Sequence, residues 1–326
     1  VLFMKSKGFA VGIWVYGSCP DRFCTRGYKK GYGLEETLDQ IAASGNLSGV
    51  MMHYPDPLNE KTAEKMKSSL EQRGLQLASC EVDLFSDPVF ALGSMISERE
   101  GVRGRAIETA KRAMDMAECM GECVMSLWPG QDGFDYPFEI DYVAQWSLLV
   151  DAIYQIASSN PRVKLSMEYK LREPRTHSSI STAGEALFLA YSSGLPNVGV
   201  TVDFGHSLNC KESPGNVVAL LDKYGRLFGL HLNDNFRDWD DDMAVGTVHF
   251  FETLEFLYYL NRSRYEGWLG LDIFPYREDP SRVCKLSIDN IRYMMQVVEK
   301  IDIAELKAIQ KEANAMEAME YIKKKM

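Results

Sequence analysis

The sequence has no run of about 18 apolar residues, the length a membrane-spanning helix needs. Residues 1–5 lack the apolar stretch of a signal peptide, so the chain is expected to open directly into a folded domain. Positive charge is scarce: 36 lysines and arginines stand against 46 acidic residues, for a net charge of −10. Such a surface repels a phosphate backbone and argues against nucleic acid as a partner. The seven cysteines include no CxxC pair, and an odd number cannot all pair. A disulfide framework is therefore not expected, and a reducing, cytoplasmic setting is. A glycine-rich phosphate loop after an early strand is also missing, which argues against a doubly wound dinucleotide-binding sheet.

What is present is an alternation of short apolar runs rich in β-formers with longer amphipathic stretches. Strands are predicted over 9–15, 48–53, 75–81, 123–128, 163–170, 198–203, 227–233 and 268–273. Helices are predicted from about 33, over 60–73, 102–120, 141–158, 182–193, 215–221 and 248–262, and throughout the chain after 280. Eight strands alternating with helices is the count of a (β/α)8 TIM barrel, an α/β fold. Residues 1–280 form the barrel in this reading. Residues 281–326 form a C-terminal helical extension, read as an oligomerisation arm.

In such a barrel the chemistry sits at the C-terminal ends of the strands. Glu168, Asp203, His231 and Asp272 fall there, on the fifth to eighth predicted strands. Three carboxylates and an imidazole converging from adjacent strands suit Mn²⁺, Mg²⁺ or Co²⁺. Any one of them alone is more often a buried polar residue satisfied by hydrogen bonds. Glu168 and Lys170 are two apart and look to one face of a strand; the bland alternative for that pair is a rim salt bridge. His206 lies just past Asp203, and Asp240, Asp241 and Asp242 follow the seventh strand. Adjacent carboxylates repel unless neutralised, so a second cation bridged by Asp203 is expected. His177 and His249 are read as surface or helix residues.

These pieces, in order, resemble the xylose isomerase-like superfamily, and within it the two-metal aldose–ketose isomerases, xylose isomerase and L-rhamnose isomerase. The resemblance runs over 9–279. It rests on Phe9-x-x-Gly12-x-Trp14, His53-x-x-Asp56, Leu84 to Phe90, Trp128 to Gly133, Glu168-x-Lys170-x-x-Glu173-Pro174-Arg175, Phe204-Gly205-His206, Leu232-Asn233, Asp240-x-Asp242 and Asp272-x-x-Pro275. It implies a metal-assisted hydride shift between C1 and C2 of an open-chain, unphosphorylated sugar. Glu168, Asp203, His231 and Asp272 would hold one cation, and Asp203, His206, Asp240 and Asp242 a second. Lys170 would hold the O1 oxygen, Trp14 and Trp128 would wall the sugar, and His53 with Asp56 would assist ring opening. A homodimer or homotetramer is expected.

Xylose isomerase carries Glu and Asp where Asp203 and His231 stand, and a Lys where Phe274 stands. Those departures leave the sugar open between xylose and rhamnose types. One-metal ketose 3-epimerases and keto-glycoside lyases of the same superfamily are the alternative. A carbohydrate-binding barrel is the non-enzyme one. The endonuclease branch is disfavoured by the acidic balance and by the five histidines.

Overall fold

The computed structural model describes residues 5–122, 124–173 and 175–326. Residues 1–4, the predicted fourth-strand start at Cys123, and Pro174 of the quoted motif lie outside the described residues. Eight parallel strands close a barrel: β1 (Gly8–Gly12), β2 (Gly49–Tyr54), β3 (Gln76–Val82), β4 (Val124–Leu127), β5 (Lys164–Glu168), β6 (Val198–Asp203), β7 (Leu227–Leu232) and β8 (Trp268–Leu271). They pair in the order β1-β8-β7-β6-β5-β4-β3-β2, with β2 closing on β1. The fold class read from the alternation is the one observed.

The helices around it are α1 (Leu34–Ala43), α2 (Ala63–Gln72), α3 (Glu100–Cys119), α4 (Tyr142–Ser159), α5 (Ala183–Ser192), α6 (Phe204–Asn209), α7 (Pro214–Lys223), α8 (Phe250–Asn261), α9 (Pro280–Glu299), α10 (Ile303–Lys311) and α11 (Ala315–Lys325). Their starts follow from local chemistry. The Asp141 carboxylate accepts from the Val143 and Ala144 amides at the head of α4. Thr182 and Glu185 form a reciprocal cap on α5. Ser213 and Asp279, each followed by proline, cap α7 and α9. Strand β6 is buried at every residue, as a central parallel strand covered on both faces should be. No helix among the described residues is long and apolar enough to cross a membrane.

Several strands end earlier than predicted, β1 and β5 for reasons the structure shows. β1 stops at Gly12, and residues Ile13–Tyr16 wind into a 3₁₀ turn. The Trp14 indole folds back over Gly12, where a Cβ would sit 2.1 Å from the ring. Only glycine leaves room for that approach. β5 ends at Glu168, two residues early, because Lys170 donates its backbone N–H to Ile180 O (3.1 Å) instead of continuing the ladder. Beyond it, Gly133–Phe134, Arg172–Glu173 and Thr176–Ser178 build a small antiparallel sheet that the sequence reading missed.

The C-terminal extension is not one continuous helix. It breaks before Asp302, whose carboxylate caps α10, and before Asn314, which caps α11. α9 packs on α8, burying Cys284, Ile288, Ile291, Met294, Val297 and Val298 along one stripe. α11 returns to the body, with Tyr321 buried and its hydroxyl accepting from the Asp302 amide (2.8 Å).

Candidate metal centre and sugar pocket

Glu168 stands opposite Thr201, two residues before Asp203 on the same strand face, so the inward side chains at the ends of β5 to β8 enter one space. His231 pairs with Asp203 across β6 and β7, and with Gly270 across β7 and β8. Glu168, Asp203, His231 and Asp272 consequently offer ligand atoms that all lie within 4.8 Å of one another. His231 Nδ1 is 3.0 Å from Glu168 Oε2 and 3.5 Å from Asp272 Oδ2. That nitrogen is buried and makes no hydrogen bond. An unpartnered buried nitrogen among carboxylates is costly, and a cation in their midst removes the cost. The donor set therefore fits a divalent ion.

A second group shares Asp203. Its carboxylate caps α6, Oδ1 accepting from the His206 amide (2.8 Å), while Oδ2 accepts from Asn233 Nδ2 (2.8 Å). A carboxylate has about four acceptor positions, so each oxygen keeps one free. His206 Nε2 lies 3.1 Å from Asp240 Oδ2, and its Nδ1 lies 2.9 Å from Tyr169 O. Asp203, His206 and Asp240 likewise offer ligand atoms within 4.8 Å of one another. Asp242, expected as a fourth ligand, stands beside this group rather than within it. Its Oδ1 accepts from Asn233 Nδ2 (3.1 Å), the amide that also holds Asp203. Asp241, between the two, turns away to accept from the Phe236 amide (2.9 Å).

The site is short of positive charge. Burial works against ionisation of Glu168, but His231 and His206 outweigh it and hold the carboxyl well below the usual range. Burial likewise works against charge on both imidazoles, yet the facing carboxylates push them well above theirs. Burial drives Asp203 up to about 7. Burial and the Asp240 charge drive Asp242 well up too. Protons are drawn in where cations would otherwise stand.

Lys170 reaches the same space from beyond β5. Its Nζ lies 2.7 Å from Asp240 Oδ2, contacts the Glu173 carboxylate, and sits 5.1 Å over the Trp128 ring. Burial works against its charge, but Asp240 and Glu173 keep it protonated. An aromatic wall completes a cavity of about 550 Å³. Trp14 donates its indole N–H to Asp272 Oδ1 (2.7 Å) and packs on His53 at 4.8 Å. Phe85 meets Trp128 edge-on at 4.6 Å.

The expected pairing of His53 with Asp56 is not found. The chain turns outward after Tyr54, leaving Asp56 exposed and without a hydrogen bond to His53 among the described residues. Burial holds His53 below its ordinary pKa, and the carboxylate that most opposes this is Asp83. His249 is no free surface residue either, since its Nδ1 lies 2.9 Å from buried Asp234. His177 is exposed and stacks on Phe134. Asp132, from the Trp128 to Gly133 motif, points away from the pocket and accepts from the amides of Ser94 and Met95. Sequence reasoning passed over Glu81 and gave Glu173 no role. Glu81 ends the third predicted strand, as Glu168 stands near the end of the fifth, so the same rule would have found it.

A family profile described as xylose isomerase-like TIM barrel matches residues 38–324. Xylose isomerase from Thermus thermophilus is 24% identical over 279 residues, 79% of this chain and 70% of that protein. Among solved structures, an L-ribulose 3-epimerase superposes with TM-score 0.72 at 15% identity, covering 90% of this chain and 96% of that one. A 3-keto-D-glucoside 4-epimerase from E. coli does so with TM-score 0.64 at 18% identity, covering 79% and 94%. These structural likenesses speak to the fold alone.

Proposed function

The chain belongs to the xylose isomerase-like TIM barrel family, and from that premise we propose that it is a divalent-metal-dependent aldose–ketose isomerase. Its substrate in this reading is an unphosphorylated sugar of xylose or rhamnose type, and its reaction a hydride shift between C1 and C2. The observation that carries the proposal is the pair of ligand groups joined at Asp203, with the Lys170 ammonium 2.7 Å from Asp240. Together with Asp242 the two groups hold five carboxylates, and Lys170 brings one ammonium. With Glu81 and Glu173 lining the same cavity, carboxylates far outnumber the one ammonium, an excess that divalent cations would offset.

Glu168, Asp203, His231 and Asp272 would hold one cation, and Asp203, His206 and Asp240, with Asp242 adjacent, the other. Bound there, such ions act as Lewis acids on sugar oxygens and acidify a coordinated water. The protein's own groups do the rest. Lys170 donates to O1 and stabilises the charge that develops on it. Trp14, Phe85 and Trp128 lie against the carbon chain and exclude water from the migrating hydrogen. His53, whose pKa burial lowers, would exchange a proton with the ring oxygen as the sugar opens. Asp56 has no part in that step. Met316, Met319 and Ile303 are exposed apolar side chains on the C-terminal helices, available to a homodimer or homotetramer contact.

The first ligand group is complete without the second, which favours a one-metal ketose 3-epimerase as the alternative. A panel assay separates the two. Protein stripped with chelator should be inert toward xylose, rhamnose, lyxose, mannose and glucose. Reloading with Mn²⁺, Mg²⁺ or Co²⁺ should restore ketose formation from at least one. Metal-loaded protein that converts no aldose but epimerises a ketose would overturn the isomerase reading.

A further inference from the structure

We infer that Glu81 is a positioning residue that accepts a hydrogen bond from Nε2–H of His231 and so fixes the tautomer in which Nδ1 faces the first ligand group. The inference rests on the metal reading above. A ligating imidazole needs a lone pair on one nitrogen, so its proton must stand on the other. On His231 the ligand side is Nδ1, which is buried, unpartnered and aimed between Glu168 and Asp272. The opposite nitrogen, Nε2, looks across the barrel to β3. There one carboxylate among the described residues comes within reach, Glu81 with Oε1 at 4.0 Å.

Glu81 is built for this place. It is 6% exposed, lies beside His53 and Ser126 in register, and lines the cavity. Ser79, two residues earlier on the same strand face, donates its hydroxyl to the same Oε1 atom. Ser126, opposite Glu81 on β4, is a second hydroxyl beside the carboxyl group; a carboxylate has about four acceptor positions, and Nε2–H of His231 faces one that the two serines leave open. Closing the gap by about 1 Å brings the pair to hydrogen-bonding distance, well within the reach of a three-torsion side chain.

The test is metal titration with a tautomer readout. Glu81→Leu removes the acceptor at similar volume, while Glu81→Gln keeps a carbonyl oxygen toward Nε2. By calorimetry with Mn²⁺, Glu81→Leu should weaken one cation site by about 10- to 100-fold and leave the other near wild type. Glu81→Gln should recover part of that loss. Nitrogen-15 NMR of the wild-type protein with Mg²⁺ should show His231 protonated at Nε2. Wild-type affinity in Glu81→Leu would overturn the inference while leaving the metal reading standing. A proton on Nδ1 in the Mg²⁺-loaded wild type would overturn the inference together with the place of His231 among the ligands. A wild-type protein that binds no Mn²⁺ would overturn both.

Discussion

Lys170→Ala should lower turnover by at least about a hundredfold, the usual loss when a donor to a developing oxyanion is removed. Its cation sites should survive. The lysine touches the Asp240 and Glu173 carboxylates, so removing it leaves more negative charge beside the second ligand group. Divalent ions should bind there as well as before, or more tightly. Activity and metal titration thus move apart, which a merely structural lysine would not allow. If the variant loses its metal together with its activity, Lys170 is a structural counter-ion and its place at O1 is wrong. Lys170→Met controls for the lost packing on Trp128.

Asp203→Asn should weaken both cation sites together. Asp203 is the one residue common to the two groups, and both its oxygens are already pinned, by the His206 amide and by Asn233. Asparagine can keep the cap on α6, since it is as good an N-cap. It then sets its own amide hydrogens against those of Asn233, whose Oδ1 is engaged by the Gly205 amide (2.8 Å). A charge and an acceptor are lost at the bridge in one change. Calorimetric titration should show both sites weakened, whereas His231→Ala should affect one. Loss of a single site in Asp203→Asn would contradict the bridging role.

The barrel was legible because its signal is physical and local. Strand β6 reads as one apolar run ending in a carboxylate, and it folds with those bounds. The first ligand group followed from strand ends, since residues opposite one another, or two apart, on adjacent parallel strands point to the same face. What was not legible depends on the direction of turns. Spacing cannot say that the chain after Tyr54 carries Asp56 away from His53, or that the Asn233 amide holds Asp242 beside the second group. Other misses lay in plain view. Asp302 and Asn314 are helix-capping residues that announced the breaks in the C-terminal helix. Glu81 satisfied the rule already applied to Glu168.

The most direct measurement is the fate of the migrating hydrogen. Metal-loaded protein would convert its preferred aldose to ketose in D₂O, and NMR would read deuterium at C1 of the product. The account predicts ketose with little deuterium there, because the hydrogen passes from C2 to C1 inside a pocket walled by Trp14, Phe85 and Trp128. Ketose carrying solvent deuterium at C1 would mean a proton removed and returned by a base, and would contradict the hydride shift and the roles given to Lys170 and the aromatic wall.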